Sequence, residues 1–194
     1  INIAQIRSLM GKQSKAVRVI GGSFKGRKLF VNDPNVKPTP DRVRETLFNW
    51  LEPVISGSTV LDLFAGSGVL AIESLSRGAM SATLVDHSKV VSKSLEKLML
   101  VLELSNYSNL CQDAHELVSK TNSSKPYSII FLDPPYGVYE LSELVEKLYK
   151  NKWANETTWI YCETNRPIKI DQNAKYHIFK ESRAGEVYYA LIKS

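Results

Sequence analysis

Thr59-Val60-Leu61-Asp62-Leu63-Phe64-Ala65-Gly66-Ser67-Gly68 is the stretch on which the fold turns. Its apolar half reads as a strand buried on both faces, and its Gly-x-Gly half reads as a tight turn opening a helix over 69–77. Glycine is needed where the backbone bends sharply and a ligand must approach the main chain without a Cβ in the way. Taken alone, a Gly-x-Gly turn is shared with structural turns and with dinucleotide enzymes. The rhythm downstream decides the architecture. Strands are expected over 82–86, 109–112, 127–132 and 157–163, with helices over 89–104 and 139–149. Strands spaced by helical patterns argue for βαβ units and a parallel sheet covered on both faces. Residues 176–182 and 186–192 flank Arg183-Ala184-Gly185 and read as a closing antiparallel hairpin.

Upstream, 16–20 and 27–31 read as two short strands around a turn at 21–26. Thr39 and Pro40 read as N-cap and first residue of a helix in which Val43, Leu47, Trp50 and Leu51 share one apolar face. Arg42, Arg44 and Glu45 are expected to point away from that face. This segment is also where the charge lies. Residues 1–50 hold ten Lys/Arg against three acids, a net of +7, while 51–194 hold fifteen against seventeen, a net of −2. Such a distribution suits a polyanion-binding arm on a near-neutral catalytic domain, or else a merely solvated tail. The expected division is a basic extension over 1–52 and a main domain over 53–194.

With 194 residues, 43% hydrophobic and 23% charged, the chain suits one well-buried domain plus an appendage. No apolar run approaches the length of a membrane span, and no N-terminal signal segment is seen. Cys111 and Cys162 have no CxxC spacing and His residues do not cluster, so neither a disulfide framework nor a metal site is expected. A cytoplasmic, monomeric protein with no membrane partner is the expectation. The chain opens on Ile1, which reads as a trimmed start.

Acids stand at the carboxyl ends of successive strands, where open α/β sheets bind ligands. Asp62 precedes the glycine turn, in a place where a carboxylate suits a ligand carrying positive charge; S-adenosyl-L-methionine carries a sulfonium and an α-ammonium group. Asp86, with His87 after it, ends the second strand and is placed to accept ribose hydroxyls. Asp113, with Ala114 after it, ends the third and can reach an adenine edge, or simply cap a helix. Phe64, Ala65, Gly66 and Gly68 complete the expected cofactor site. His87 and His115 otherwise read as surface or capping residues, and Trp153 and Trp159 as core.

Asp133-Pro134-Pro135-Tyr136, directly after the apolar strand, carries the chemistry. Two prolines stiffen the backbone past the strand end and fix a carboxylate beside an aromatic ring. An exocyclic amine of a base is a poor nucleophile because its lone pair is delocalised. Asp133 and a main-chain carbonyl at Pro134 can accept its hydrogens, while Tyr136 stacks on the extruded base. Asp133 also closes the cofactor side. If the first strand lies beside the fourth, the 62–68 and 133–136 loops face each other across a crevice.

The chain resembles the RsmD family of bacterial small-subunit ribosomal RNA guanine-N2 methyltransferases from about residue 17 onward. The matching stretches are Arg18-Val19-Ile20-Gly21-Gly22, Gly26-Arg27-Lys28-Leu29, Pro38-Thr39, the distinctive run from Asp41 to Leu51, Leu61 to Gly68, Ser76-Arg77-Gly78-Ala79, the Asp133 motif and Ile160-Tyr161 with Glu163. The resemblance implies a class I, Rossmann-like methyltransferase with a mostly parallel seven-stranded sheet. It also implies the cofactor S-adenosyl-L-methionine and a guanine in 16S ribosomal RNA or the assembling 30S subunit. Arg18, Arg27, Lys28, Lys37, Thr39, Arg42 and Arg44 are then the expected RNA contacts. Lys37, Asp86 and Tyr136 replace the family's usual Arg, Glu and Phe with side chains of like character. Leu98 replaces a frequent Asn, removing a polar group expected near the cofactor. A DNA adenine-N6 methyltransferase and a non-catalytic RNA-binding assembly factor are the alternatives.

Overall fold

The computed structural model describes residues 15–31, 39–171 and 173–194. Lys37 lies outside them. β3 (Thr59–Asp62) is buried from Val60 onward and pairs in parallel on both sides, with β4 (Ser81–Asp86) and with β6 (Ile129–Leu132). β6 is the apolar run Ile-Ile-Phe-Leu with all four residues buried, which explains the absence of alternation: a parallel strand covered on both faces has no polar side to show. Beyond β4 lies β5 (Tyr107–Cys111), and beyond β6 lies β7 (Trp159–Thr164), both in parallel. β8 (His177–Ala184) and β9 (Val187–Lys193) form the antiparallel hairpin, with β9 against β7. The order β5-β4-β3-β6-β7-β9-β8 makes the β3/β6 boundary the point where the winding reverses, as the sequence led us to expect.

The helices are α1 (Asp41–Ile55), α2 (Val69–Ser76), α3 (Lys89–Val101), α4 (Ala114–Val118) and α5 (Leu141–Lys150). The five-residue α4 went unread, being too short to display a helical period. The boundary drawn after residue 52 falls inside α1, which continues to Ile55 through Pro53. α1 and the N-terminal hairpin of β1 (Lys15–Arg18) and β2 (Lys28–Val31) share an apolar cluster with the main sheet: Val17, Val19, Leu29, Val43, Leu47 and Phe48 pack with Ile72, Ile129 and Phe131. Among the described residues no helix is long and apolar enough to cross a membrane.

All eight residues of α2 are buried, Glu73 included. The sheet covers one side of this helix and the N-terminal segment covers the other. Ser76 Oγ donates to Gly21 O at 2.5 Å and accepts from Phe24 N at 2.9 Å. Gly22, at φ +71°, sits so close that a Cβ there would lie 1.9 Å from Ser76 O. Charge is buried at the same seam. The Glu73 carboxylate accepts from Ile20 N at 2.8 Å, pairs with Arg77 Nε at 2.9 Å and lies 3.5 Å from Arg44 Nη1. Arg44 Nη2 also pairs with Asp41 at 2.6 Å, and its Nε donates to Thr39 O at 3.2 Å. Arg44 is 0% exposed. This corrects its expected role as an RNA contact, because every face of the guanidinium is committed inside the fold. Leu98 is likewise corrected: it packs in the apolar core on α3, away from the ligand cleft.

Removing one member of a buried ion pair leaves the other charge desolvated and uncompensated, which costs about 3–5 kcal/mol. Glu73→Ala is therefore expected to lower unfolding stability by at least about 3 kcal/mol in urea titrations and to open the 15–31 hairpin to limited proteolysis. A loss below about 1 kcal/mol with the hairpin still protected would show that the seam does not depend on this carboxylate.

Candidate active site

A cleft of about 670 Å³ opens at the carboxyl ends of β3, β4, β6 and β7, within the size range of small-ligand sites. The 62–66 loop forms one wall and the Asp133–Tyr136 loop the other, with Thr39 and Pro40 entering from the N-terminal segment. The first loop is held by both neighbouring strands: Leu63 N donates to Phe131 O at 3.2 Å and Ala65 N to Val85 O at 2.9 Å. Gly66 N donates to Asp86 Oδ2 at 3.0 Å, while Asp86 Oδ1 accepts from Ser88 N at 2.8 Å. Asp86 thus ties the end of β4 to the glycine turn and still borders the cleft.

Phe64, Ala65, Gly66, Asp62, Asp86, His87, Asp113, Ala114, Asp133, Pro134 and Tyr136 all line this space. Gly68 does not. A Cβ there would lie 2.5 Å from Leu95 Cδ2 on α3, so its glycine answers to helix packing and a left-handed φ of 71°. His87 sits at the rim with its side chain 75% exposed. Asp113 caps α4 through Glu116 N at 2.9 Å and accepts from Tyr139 OH at 2.8 Å; these bonds hold its carboxyl below the usual range. Thr39 before Pro40 has the sequence form of a helix cap, but Pro40 takes that position in α1 without any side-chain bond. The Thr39 hydroxyl lies instead 3.4 Å from Asp133 Oδ2. His115 lies on α4 against Glu143 at 3.0 Å, outside the cleft.

Glu163 is a cleft residue to which the sequence reading gave no role. It is buried near the end of β7, lines the cleft and accepts from Tyr161 OH at 2.8 Å. The signal was present, since Glu163 is another acid at a strand's carboxyl end. Five carboxylates, Asp62, Asp86, Asp113, Asp133 and Glu163, therefore border one space whose described lining contains no Lys or Arg. Burial, then the proximity of Asp86, pushes Asp62 up to about 7 despite N–H bonds from Phe64 and Ala71. Burial, then Glu163 and Asp62, pushes Asp133 well above the usual carboxylate range, against the opposing Thr39 hydrogen bond. Carboxylates that obstruct one another's ionisation favour a positively charged occupant. The donor set thus fits the sulfonium and α-ammonium groups of S-adenosylmethionine.

A doubly wound sheet with an acid-lined crevice at its switch point, facing an Asp-Pro-Pro-Tyr loop, defines an S-adenosylmethionine-dependent methyltransferase. A family model described as "Conserved hypothetical protein 95" matches residues 17–193, and the chain belongs to that family. It is 40% identical over 180 residues to "Ribosomal RNA small subunit methyltransferase D" of Escherichia coli (strain K12), covering 92% of this chain and 90% of that protein. The protein of the same name from Haemophilus influenzae is 35% identical, covering 92% and 94%. Among solved structures, "Putative methyltransferase yhhF from Escherichia coli" superposes with a TM-score of 0.83 at 39% identity, covering 92% of this chain and 98% of that one.

Asp62 with a pKa near 7 predicts a pH-dependent cofactor affinity. The sign follows from linkage. A carboxyl raised in the folded state loses its stabilising contribution as pH climbs from its unfolded value of about 3.9 toward 7, because over that range the unfolded chain gives up a proton that the buried group still holds. A cationic ligand reverses that penalty, so S-adenosylmethionine should bind progressively tighter from about pH 5 to about 7 and level off above. Calorimetric titration should show this slope in the wild type and a smaller one in Asp62→Asn. A wild-type affinity independent of pH would refute the assignment.

Proposed function

We propose that this enzyme methylates the exocyclic N2 amino group of a guanine in 16S ribosomal RNA, acting on the assembling small subunit. The observation that carries the methyl-to-amine reading is the facing of the Asp62 and Asp133 loops across one cleft, made possible by the adjacency of β3 and β6. When bound, the cofactor supplies an electrophilic methyl group on its sulfonium. Asp62 and its neighbours offer negative charge to that cation, and Asp86 offers carboxylate oxygen to ribose. Asp133 accepts an N–H of the substrate amine and is placed to take the proton that the nitrogen sheds as it gains the methyl group. The Pro134 carbonyl accepts the second N–H. Tyr136, 44% exposed on the lip of the cleft, provides a ring for the base to stack on. Burial and nearby carboxylates push its phenol up to about 12, which keeps it neutral and suited to stacking.

An RNA substrate is supported by the basic N-terminal segment and by the relatives named as ribosomal RNA methyltransferases. Arg18 and Lys28 stand directly opposite one another in the β1–β2 register, both exposed. Like charges in that relation repel, and a phosphate between them relieves the repulsion. They border a second hollow of about 390 Å³ whose walls include Thr39 and Pro40, the same residues that border the cleft. Arg27, whose guanidinium lies 5.0 Å from the Phe24 ring centroid, and the exposed Arg42 extend the positive surface. Guanine as the base rests on the resemblance to the RsmD family. The same reading places a monomer in the cytoplasm.

Incubation with methyl-labelled donor and purified small subunits, naked ribosomal RNA or duplex DNA tests the proposal. Label is expected in ribosomal RNA, at a guanine N2 when mapped by mass spectrometry; label in duplex DNA alone would overturn it. Asp133→Ala should reduce turnover on the order of 10²-fold or more while the variant still binds S-adenosylhomocysteine. RNA affinity should fall about tenfold or more between roughly 50 and 200 mM salt, and Arg18→Ala with Lys28→Ala should each flatten that dependence by about one phosphate contact.

A further inference from the structure

Thr39 is where the N-terminal segment meets the reacting carboxylate. It is 5% exposed, borders both the cleft and the hollow beside Arg18 and Lys28, and has its two polar ends turned in different directions. Its carbonyl accepts from Arg44 Nε at 3.2 Å, so its backbone is fixed by a guanidinium that Asp41 and Glu73 immobilise in turn. Its hydroxyl lies 3.4 Å from Asp133 Oδ2. Asp133 belongs to a loop with Pro134 and Pro135 that points into a space crowded with like charge. Glu163 and Tyr161 on β7, Asp62 on β3 and Tyr136 on the same loop are the ionisable groups around it. The Thr39 hydroxyl is an uncharged donor among them.

We propose that Thr39 is a positioning residue for Asp133: its hydroxyl donates to Oδ2, fixes the plane of the carboxylate and leaves Oδ1 to accept the substrate amine. Its catalytic consequence rests on the methyl-transfer reading, whereas the hydrogen bond itself does not. The bond has two effects. It orients the acceptor, since a carboxylate held at one oxygen no longer rotates freely. It also favours the ionised form, opposing burial and the pressure of Glu163 and Asp62. Only the ionised carboxylate has both oxygens available to accept. An arm contact with RNA would behave differently, because loss of such a contact weakens substrate binding without touching the carboxylate.

The test uses the full chain, wild type and with Thr39→Val, Thr39→Ala or Thr39→Ser. The titration of the Asp133 carboxyl is followed by carbon-13 NMR in the free protein, and kcat and KM for RNA are followed against pH. Thr39→Val and Thr39→Ala are expected to raise the Asp133 midpoint by about one unit and to move the acidic limb of kcat upward by the same amount. KM for RNA should stay unchanged. Thr39→Ser, which keeps the donor, should restore both. An unmoved midpoint in the folded variants, a rise in KM with an unmoved profile, or a serine variant as impaired as valine each overturns the proposal. If no nucleic acid is methylated by the wild type, the function proposed above fails, and the NMR midpoints still decide the role of Thr39.

Discussion

The Glu73 carboxylate is the constraint on which the N-terminal half of the molecule depends. It sits in the middle of a helix with no exposed residue, and a charge so placed persists only if its partners are fixed. They come from three separate parts of the chain: the backbone of Ile20 after β1, Arg44 in α1, and Arg77 just past α2. The Arg77 guanidinium also lies 4.9 Å from the Phe48 ring centroid, so the ionic node and the apolar core share a wall. A hydrophobic replacement of similar volume can match such a pair in stability. What the charges add is a direction. Arg44 is turned so that its Nε meets the Thr39 carbonyl, and the peptide that enters the cleft is set by it.

The cleft applies the opposite economy. Its carboxylates gather where the strands end because a parallel sheet with its reversal at β3/β6 leaves those ends uncovered. Neutralising them with internal arginines, as Glu73 is neutralised, would fill the space a ligand needs. They remain instead in mutual opposition, with Asp62 near 7 and Asp133 held well above the usual carboxylate range, and the free protein carries that electrostatic cost until a cation is bound. The two acid sites differ in where the compensating charge resides: one is satisfied by the fold and the other by the cofactor.

Much of this was legible from residue patterns. The apolar runs at 59–64 and 127–132, the Gly-x-Gly turn and the Asp133 motif led to the sheet, its switch point and the facing loops, because buried parallel strands and proline-stiffened turns are written locally. What was not legible depends on contacts between distant residues. Arg44 reads as a surface charge in a helix, and nothing within the helix announces that Glu73, twenty-nine positions on, will bury it. Thr39 before Pro40 has the form of a helix cap, yet its hydroxyl finds Asp133 across ninety-four positions. Gly68 looks like the second glycine of a ligand loop, but Leu95 claims the space beside it. Glu163 follows the rule that applies to Asp62, Asp86 and Asp113, since it too is an acid at the carboxyl end of an apolar strand.

The separation of charge along the chain becomes a separation in space that bears on the proposed substrate. Arg44 is withdrawn into the fold, so among the described residues of this segment the positive field outside comes from Arg18, Lys25, Arg27, Lys28 and Arg42, on the hairpin and the start of α1. The field inside the cleft is negative. A nucleic-acid backbone is drawn to the first and repelled by the second. A base, being neutral, is not repelled. On the proposed reading, phosphates of an RNA substrate would rest at the hairpin while a single base passes Thr39 and Pro40 toward Asp133. It opposes any pose in which the backbone itself enters the cofactor crevice. Selection for an extruded nucleotide then follows from electrostatics before any hydrogen bond to the base is made.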